Sequence, residues 1–81
     1  MPLKLKVVNM KKILVENNEV EYCEIPAKCG IEGILPGHIN FISFLNEGKI
    51  KYKTKDEQNE IDVKEGFVEF SDNTISILLK G

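Results

Sequence analysis

The chain has 81 residues, a formal net charge of −2, 42% hydrophobic and 30% charged side chains, which is the composition of one ordinary globular domain. A domain of this size buries roughly 60–65% of its unfolded surface, enough for a single core but not for a deep active site beside it. All eleven basic residues are lysines, so the bidentate recognition of phosphate or carboxylate that arginine supplies is excluded.

The chain reads as short strands from its start. Leu3, Leu5 and Val7 alternate with Lys4 and Lys6, and this pattern is not that of a signal peptide. Asn17-Asn18 lies between Ile13–Glu16 and Glu19–Tyr22, which predicts a two-residue hairpin because asparagine tolerates the left-handed region. From Val20 to Ile25 the alternation slips, with Tyr22 and Cys23 adjacent and Glu24 interrupting. Gly30 to His38 is dense in glycine and carries Pro36, which predicts a shaped loop feeding a short strand. Ile39 to Leu45 is almost all apolar, so that strand is either buried on both faces or meets a partner.

The second half alternates more regularly. Ile50 and Tyr52 oppose the row Lys49, Lys51, Lys53 and Lys55, and Ile61 and Val63 alternate with Glu60, Asp62 and Lys64. Ile75, Ile77 and Leu79 form the last stripe. Reversals are expected at Glu47-Gly48, Asp56–Asn59, Glu65-Gly66 and Asp72-Asn73. The prediction is one all-β domain over residues 1–81, an antiparallel β-sandwich or flattened barrel of about ten short strands. Leu35, Phe41, Ile50, Val63, Phe70, Ile75 and Ile77 are the expected core.

Catalytic equipment is not apparent. His38, the single imidazole, has no recognisable orienting carboxylate or oxyanion hole with Cys29 or Ser43, so a structural or interface role is expected. Gly33 to Gly37 lacks the lysine and hydroxyl of a phosphate loop. Cys23 and Cys29 have no metal-type spacing and read as reduced thiols, a disulfide being the alternative in an oxidising compartment. A slightly acidic charge balance, with aromatics inside strand patterns, argues against nucleic acid. Neither a cofactor nor a metal is expected. The acidic strip Glu16, Glu19, Glu21 and Glu24 reads as a solvated edge. No apolar run reaches the roughly 20 residues of a membrane-spanning helix. An interaction module is the reading that remains.

Gly30-Ile31-Glu32-Gly33-Ile34-Leu35-Pro36-Gly37-His38 resembles a motif of the ε subunit of F-type ATP synthases. The resemblance continues through Ile39–Gly48, Glu65–Phe70 and Asn73–Leu78. It implies an N-terminal β-sandwich at the foot of the rotor's central stalk, linking the γ subunit to the membrane c-ring and supporting proton- or ion-driven ATP synthesis without catalysing it. It also implies a peripheral position on the cytoplasmic face of the membrane, held through the complex only. By position, Gly30, Ile31, Glu32 and Gly33 would approach the c-ring, while His38, Ser43 and Asn9 would face γ. Two positions depart from the pattern. Asn40 stands where the family commonly has proline. Ile31 follows the first glycine where an acidic residue is common, with Glu32 one place on, which redirects that side chain in an extended segment. The sequence stops where the family's C-terminal helical hairpin would begin, so the regulation associated with that hairpin is not expected. The rival reading is a stand-alone small-ligand or peptide-binding β-sandwich.

Overall fold

The computed structural model describes residues 2–80. Nine strands run through them: β1 (Leu3–Asn9), β2 (Ile13–Val20), β3 (Tyr22–Ala27), β4 (Gly30–Ile34), β5 (Phe41–Leu45), β6 (Gly48–Lys53), β7 (Gln58–Val63), β8 (Gly66–Ser71) and β9 (Thr74–Leu79). Neighbours follow the order β2-β1-β9-β8-β5-β3-β6-β7, with β4 paired to β3. This continuous sheet curls into two walls, β2-β1-β9-β8-β5 and β4-β3-β6-β7. They join through a single strand pair, Ala27 with Leu45. The sandwich is antiparallel as expected, except that β1 and β9 run parallel, from Lys4 beside Thr74 to Asn9 beside Leu79.

The core follows the period-two stripes. Leu3, Leu5, Val7, Cys23, Ile25, Ile50, Val63, Val68, Phe70, Ile75 and Ile77 are all buried between the walls. The slip expected along β3 does not occur. Cys23, Ile25 and Ala27 all face inward, and Glu24 faces outward, where it accepts a hydrogen bond from the Tyr22 hydroxyl at 3.1 Å. Leu35 departs from the expected core: it is 57% exposed, and Ile34 beside it is completely buried. Ile34 pairs with Cys23, so it inherits the inner face of β3. Phe41 is half-buried and packs against the core from its edge.

The two expected asparagine turns have different outcomes. Asp72 and Asn73 adopt φ of 52° and 58° between paired Ser71 and Thr74, forming the two-residue hairpin. Asn17 also has positive φ, at 53°, but it lies inside β2. Between Leu5 beside Asn18 and Val7 beside Val15, β2 spends one more residue than β1, so Asn17 forms a bulge and not a turn. The left-handed preference was readable from the sequence; its use was set by the partner strand.

Candidate interaction surfaces

Gly30 to Gly33, expected as a loop, form most of edge strand β4. The reversal lies one step earlier, at Lys28-Cys29, where Ala27 pairs with Gly30. Gly30 has φ of 132°, which a residue with a side chain adopts only under strain. Because β4 is extended, its candidates alternate in direction. Ile31 lies opposite Pro26 and is 75% exposed, while Glu32 lies opposite Ile25 on the inner face. The four candidates therefore do not present one common surface.

A tight turn separates β4 from β5. The His38 amide donates to the Leu35 carbonyl at 3.1 Å, and the Gly37 amide donates to Asn73 Oδ1 at 2.8 Å, docking this turn on the β8–β9 hairpin. The His38 ring packs edge-on against Phe41 and Phe70, with centroids 5.2 and 5.8 Å away. Its Nε2 lies 3.0 Å from Glu32 Oε2, and its Nδ1 lies 2.8 Å from the Ile39 carbonyl oxygen. His38 thus rests on one wall and reaches a carboxylate of the other.

Ser43 is half-buried beside Val68, two residues beyond Phe41 on the same face of β5, and its hydroxyl donates to the Phe44 carbonyl at 2.9 Å. Asn9 lies elsewhere. It pairs with Leu79, in the row that continues through Gly66 to Leu45 at the far end of β5 from Phe41. Four residues of strand put these ends roughly 13 Å apart. The Asn9 side-chain carbonyl accepts the Lys11 and Lys12 amides, both at 2.8 Å, and so caps the turn after β1. The structure brings Glu32, His38 and Ser43 towards one region and leaves Asn9 outside it.

A further surface crosses the outer side of the first wall. Phe44 pairs with Phe67, Phe67 with Leu78, Leu78 with Val8, and Val8 with Ile13. Paired residues share a face, so these five side chains form an apolar row across five strands. Phe44 is 64% exposed and Leu78 48%. The Phe44 and Phe67 rings meet edge-on at 5.6 Å. Beside them a groove of about 510 Å³ is lined by Met10, Phe44, Phe67, Leu78 and Leu79, with the Lys80–Glu65 ion pair (3.7 Å) at its rim. The long apolar run through β5 signalled this surface, but its extent depends on register.

The second wall is different outside. Glu24, Lys51 and Glu60 alternate in charge across β3, β6 and β7, and Lys49 Nζ lies 3.5 Å from Glu60 and 3.3 Å from Asp62. One outer face thus alternates in charge. The other carries the apolar row at one end and the more polar row Ile42–Glu69–Ser76–Lys6 further along it. An exposed apolar patch with a polar border is characteristic of docking surfaces. Both cysteines are free. Cys23 is buried, which pushes its thiol up to about 12, and Cys29 is exposed. Among the described residues no group of three or more His, Cys, Asp or Glu side chains could hold a metal, and no helix is long and apolar enough to cross a membrane.

The fold and these surfaces define a small β-sandwich with an apolar row across one outer face. The family description "ATP synthase, Delta/Epsilon chain, beta-sandwich domain" matches residues 2–81, and the chain belongs to that family. It is 39% identical over 75 residues to the ATP synthase epsilon chain of Pelagibacter ubique, covering 93% of this chain and 58% of the relative. It is 41% identical over 76 residues to that of Nitratidesulfovibrio vulgaris (Miyazaki F), covering 94% of this chain and 56% of the relative. The chain therefore spans somewhat less than three fifths of these relatives. The same fold occurs in a chain of the Euglena gracilis mitochondrial ATP synthase, solved as an OSCP/F1/c-ring assembly. There the TM-score is 0.89 at 18% identity, covering 96% of this chain and 50% of that one. A chain of the Tetrahymena thermophila mitochondrial ATP synthase central stalk and c-ring gives 0.84 at 15% identity, covering 100% of this chain and 65% of that one.

Proposed function

We propose that this domain is a non-catalytic subunit of the central stalk of an F-type ATP synthase. It joins the γ subunit to the c-ring, so that ion-driven rotation of the ring supports ATP synthesis in the catalytic head. Family membership over residues 2–81 supports this reading, and the unpartnered apolar row Phe44–Phe67–Leu78–Val8–Ile13 is the observation that carries it. A subunit that works by being held presents apolar side chains at the centre of its contact and polar ones around it. In this reading the domain lies on the cytoplasmic side, peripheral to the membrane. Ile31 on the β4 edge, with Gly30 and Gly33 shaping that edge, is the c-ring candidate. His38 and Ser43 are the γ-side candidates, and Asn9 contributes by capping its turn. Glu32, which faces inward to His38, remains a ring-side candidate of the same edge strand.

Replacing Ile31, which is 75% exposed, by a bulky charged residue should leave the melting curve close to wild type. The same change at His38, packed on Phe41 and Phe70, should lower the midpoint but leave the sandwich folded. Assembly should weaken, because an unpaired charge must be desolvated at the contact. Co-purification with γ and c-ring measures this. A folded sandwich with assembly at wild-type affinity in both variants rejects the interface.

A further inference from the structure

We propose that the open edge of β4 takes up an extended, basic segment of a partner polypeptide as an added antiparallel strand. The backbone of β4 carries this, independently of the rotor reading above. Strand β4 pairs with β3 on one side and with no described strand on the other. Pro26 decides which of its backbone groups face outward. Pro26 has no N–H, so it cannot exchange two hydrogen bonds with Ile31 opposite it. Its carbonyl instead accepts the Asn46 amide at 2.8 Å on the other side of β3. The bonded pairs of the β3–β4 ladder are therefore Ala27–Gly30, Ile25–Glu32 and Cys23–Ile34. The N–H and C=O groups of Ile31 and Gly33 point the other way, along the open edge. Gly30, Ile31 and Gly33 are all exposed. Two donors and two acceptors in an extended row are a template for another strand.

The strands at the two ends of the main sheet path are guarded against such pairing. Strand β7 carries Glu60 and Asp62, both within reach of Lys49, and β2 carries Glu16 and Glu19 and is broken by the Asn17 bulge. Strand β4 has no lysine, no proline and no bulge, and Glu32 is its one charged side chain. Register sets what the added strand must carry. Its bonded residues lie opposite Ile31 and Gly33, and a third lies between them opposite Glu32. The first meets an exposed isoleucine beside buried Pro26, which suits an apolar side chain. The second meets no side chain at Gly33, so a long one crosses the glycine to the Tyr22 ring and the Glu24 carboxylate. The third faces Glu32, whose Oε2 lies by His38 and whose Oε1 is left for the newcomer. Two carboxylates flank the edge, and basic side chains complement both. A second copy of this chain does not fit. Antiparallel self-pairing that bonds Ile31 to Gly33 of the other copy sets Glu32 against Glu32, a like-charge pair. The occupant is a different polypeptide, basic opposite Gly33 and Glu32 and apolar opposite Ile31.

The test follows amide hydrogen exchange by nuclear magnetic resonance in the 81-residue chain, alone and with the blocked peptide Thr-Arg-Lys-Val-Thr at millimolar concentration. In the chain alone the Glu32 and Ile34 amides should exchange slowly, and those of Ile31 and Gly33 about as fast as in an unstructured peptide. Adding the peptide should slow Ile31 and Gly33 several-fold. The same peptide N-methylated at its Arg and Val keeps its charge but loses the two donors, and it should slow neither. Ile31→Pro removes one outward N–H and no bond to β3, because an edge strand accepts proline where its nitrogen faces solvent. That variant should keep the slow exchange at Glu32 and Ile34 and lose the peptide's effect at Gly33. The peptide pair decides the outcome whether or not Ile31→Pro folds. Slow exchange at Ile31 and Gly33 in the chain alone overturns the open edge. Slowing that grows with the concentration of the chain alone overturns the different partner in favour of a second copy. Equal slowing by the N-methylated peptide, or none by the unmodified one, overturns strand addition.

Discussion

Ile34 and Leu35 are chemically similar neighbours, yet one is completely buried and the other is 57% exposed. Truncating Ile34 to Ala should cost about 2–5 kcal/mol, the range for deleting a buried branched side chain. Leu35→Ala should stay within about 0.5 kcal/mol. In a domain this small each kcal/mol moves the melting midpoint by roughly 4–8 °C, so paired thermal melts separate the two. Equal losses would mean the β3–β4 register is wrong. Cys23 gives a residue-scale pH prediction. Burial raises its thiol from the ordinary 9.0 to about 12, so the folded chain keeps a proton that the unfolded chain has released. Its contribution to stability is therefore complete below about pH 9 and is lost progressively as pH rises towards about 12. Denaturant titrations across that window should show the decline. A thiol reagent at neutral pH should label exposed Cys29 and leave Cys23 unreacted until the chain unfolds.

At the scale of elements, backbone conformation and side-chain space separate cleanly in the β3–β4 hairpin. A Cβ on Gly30 would meet no atom within 4 Å, but its φ of 132° penalises any side chain. Gly30→Ala should therefore cost about 1–3 kcal/mol through backbone strain alone. At Gly33 the obstacle is the far end of Tyr22, whose hydroxyl would lie 2.6 Å from a new Cβ. That ring can turn aside, so Gly33→Ala should cost less than Gly30→Ala and should break the Tyr22–Glu24 hydrogen bond. Chemical denaturation of the two variants orders them, and the reverse order would contradict the strand assignment of β4. The bulge in β2 is read the same way. Asn17→Gly should be nearly neutral because glycine tolerates φ of 53°, whereas Asn17→Val should be clearly destabilising.

For the whole molecule, the difference between the two outer faces is the feature on which the proposed function rests. Phe44→Lys should melt close to wild type because Phe44 is 64% exposed and adds little to the core. If the proposed rotor contact uses this row, the change should nevertheless abolish assembly with purified γ and c-ring, by placing a charge in the middle of the Phe44–Phe67–Leu78 row. Lys51→Phe on the charged wall is the matching control and should leave assembly unchanged. Loss of assembly in both variants would point to general surface damage and against a specific apolar face.

Period-two stripes such as Leu3-Leu5-Val7 and Ile75-Ile77-Leu79 determined the all-β class and most of the core, because strand side chains alternate regardless of which strands become neighbours. The Asp72-Asn73 hairpin was legible for the same reason: its cause lies in two adjacent residues. Register was not local. The reversal of Ile34 and Leu35, the bulge at Asn17 and the parallel β1–β9 pair each depend on a partner strand that short-range pattern does not identify. The candidate site divides along the same line. The sequence singled out Gly30–Gly33, His38, Ser43 and Asn9, and left the apolar run at β5 as either buried on both faces or meeting a partner; exposed Ile42 and Phe44 remove the first alternative. Only tertiary structure turned Glu32 inward to His38, separated Asn9 from them and aligned Val8, Ile13, Phe44, Phe67 and Leu78 into one row. Residues distant in sequence become neighbours only when strands pair, and pairing is decided by the core as a whole.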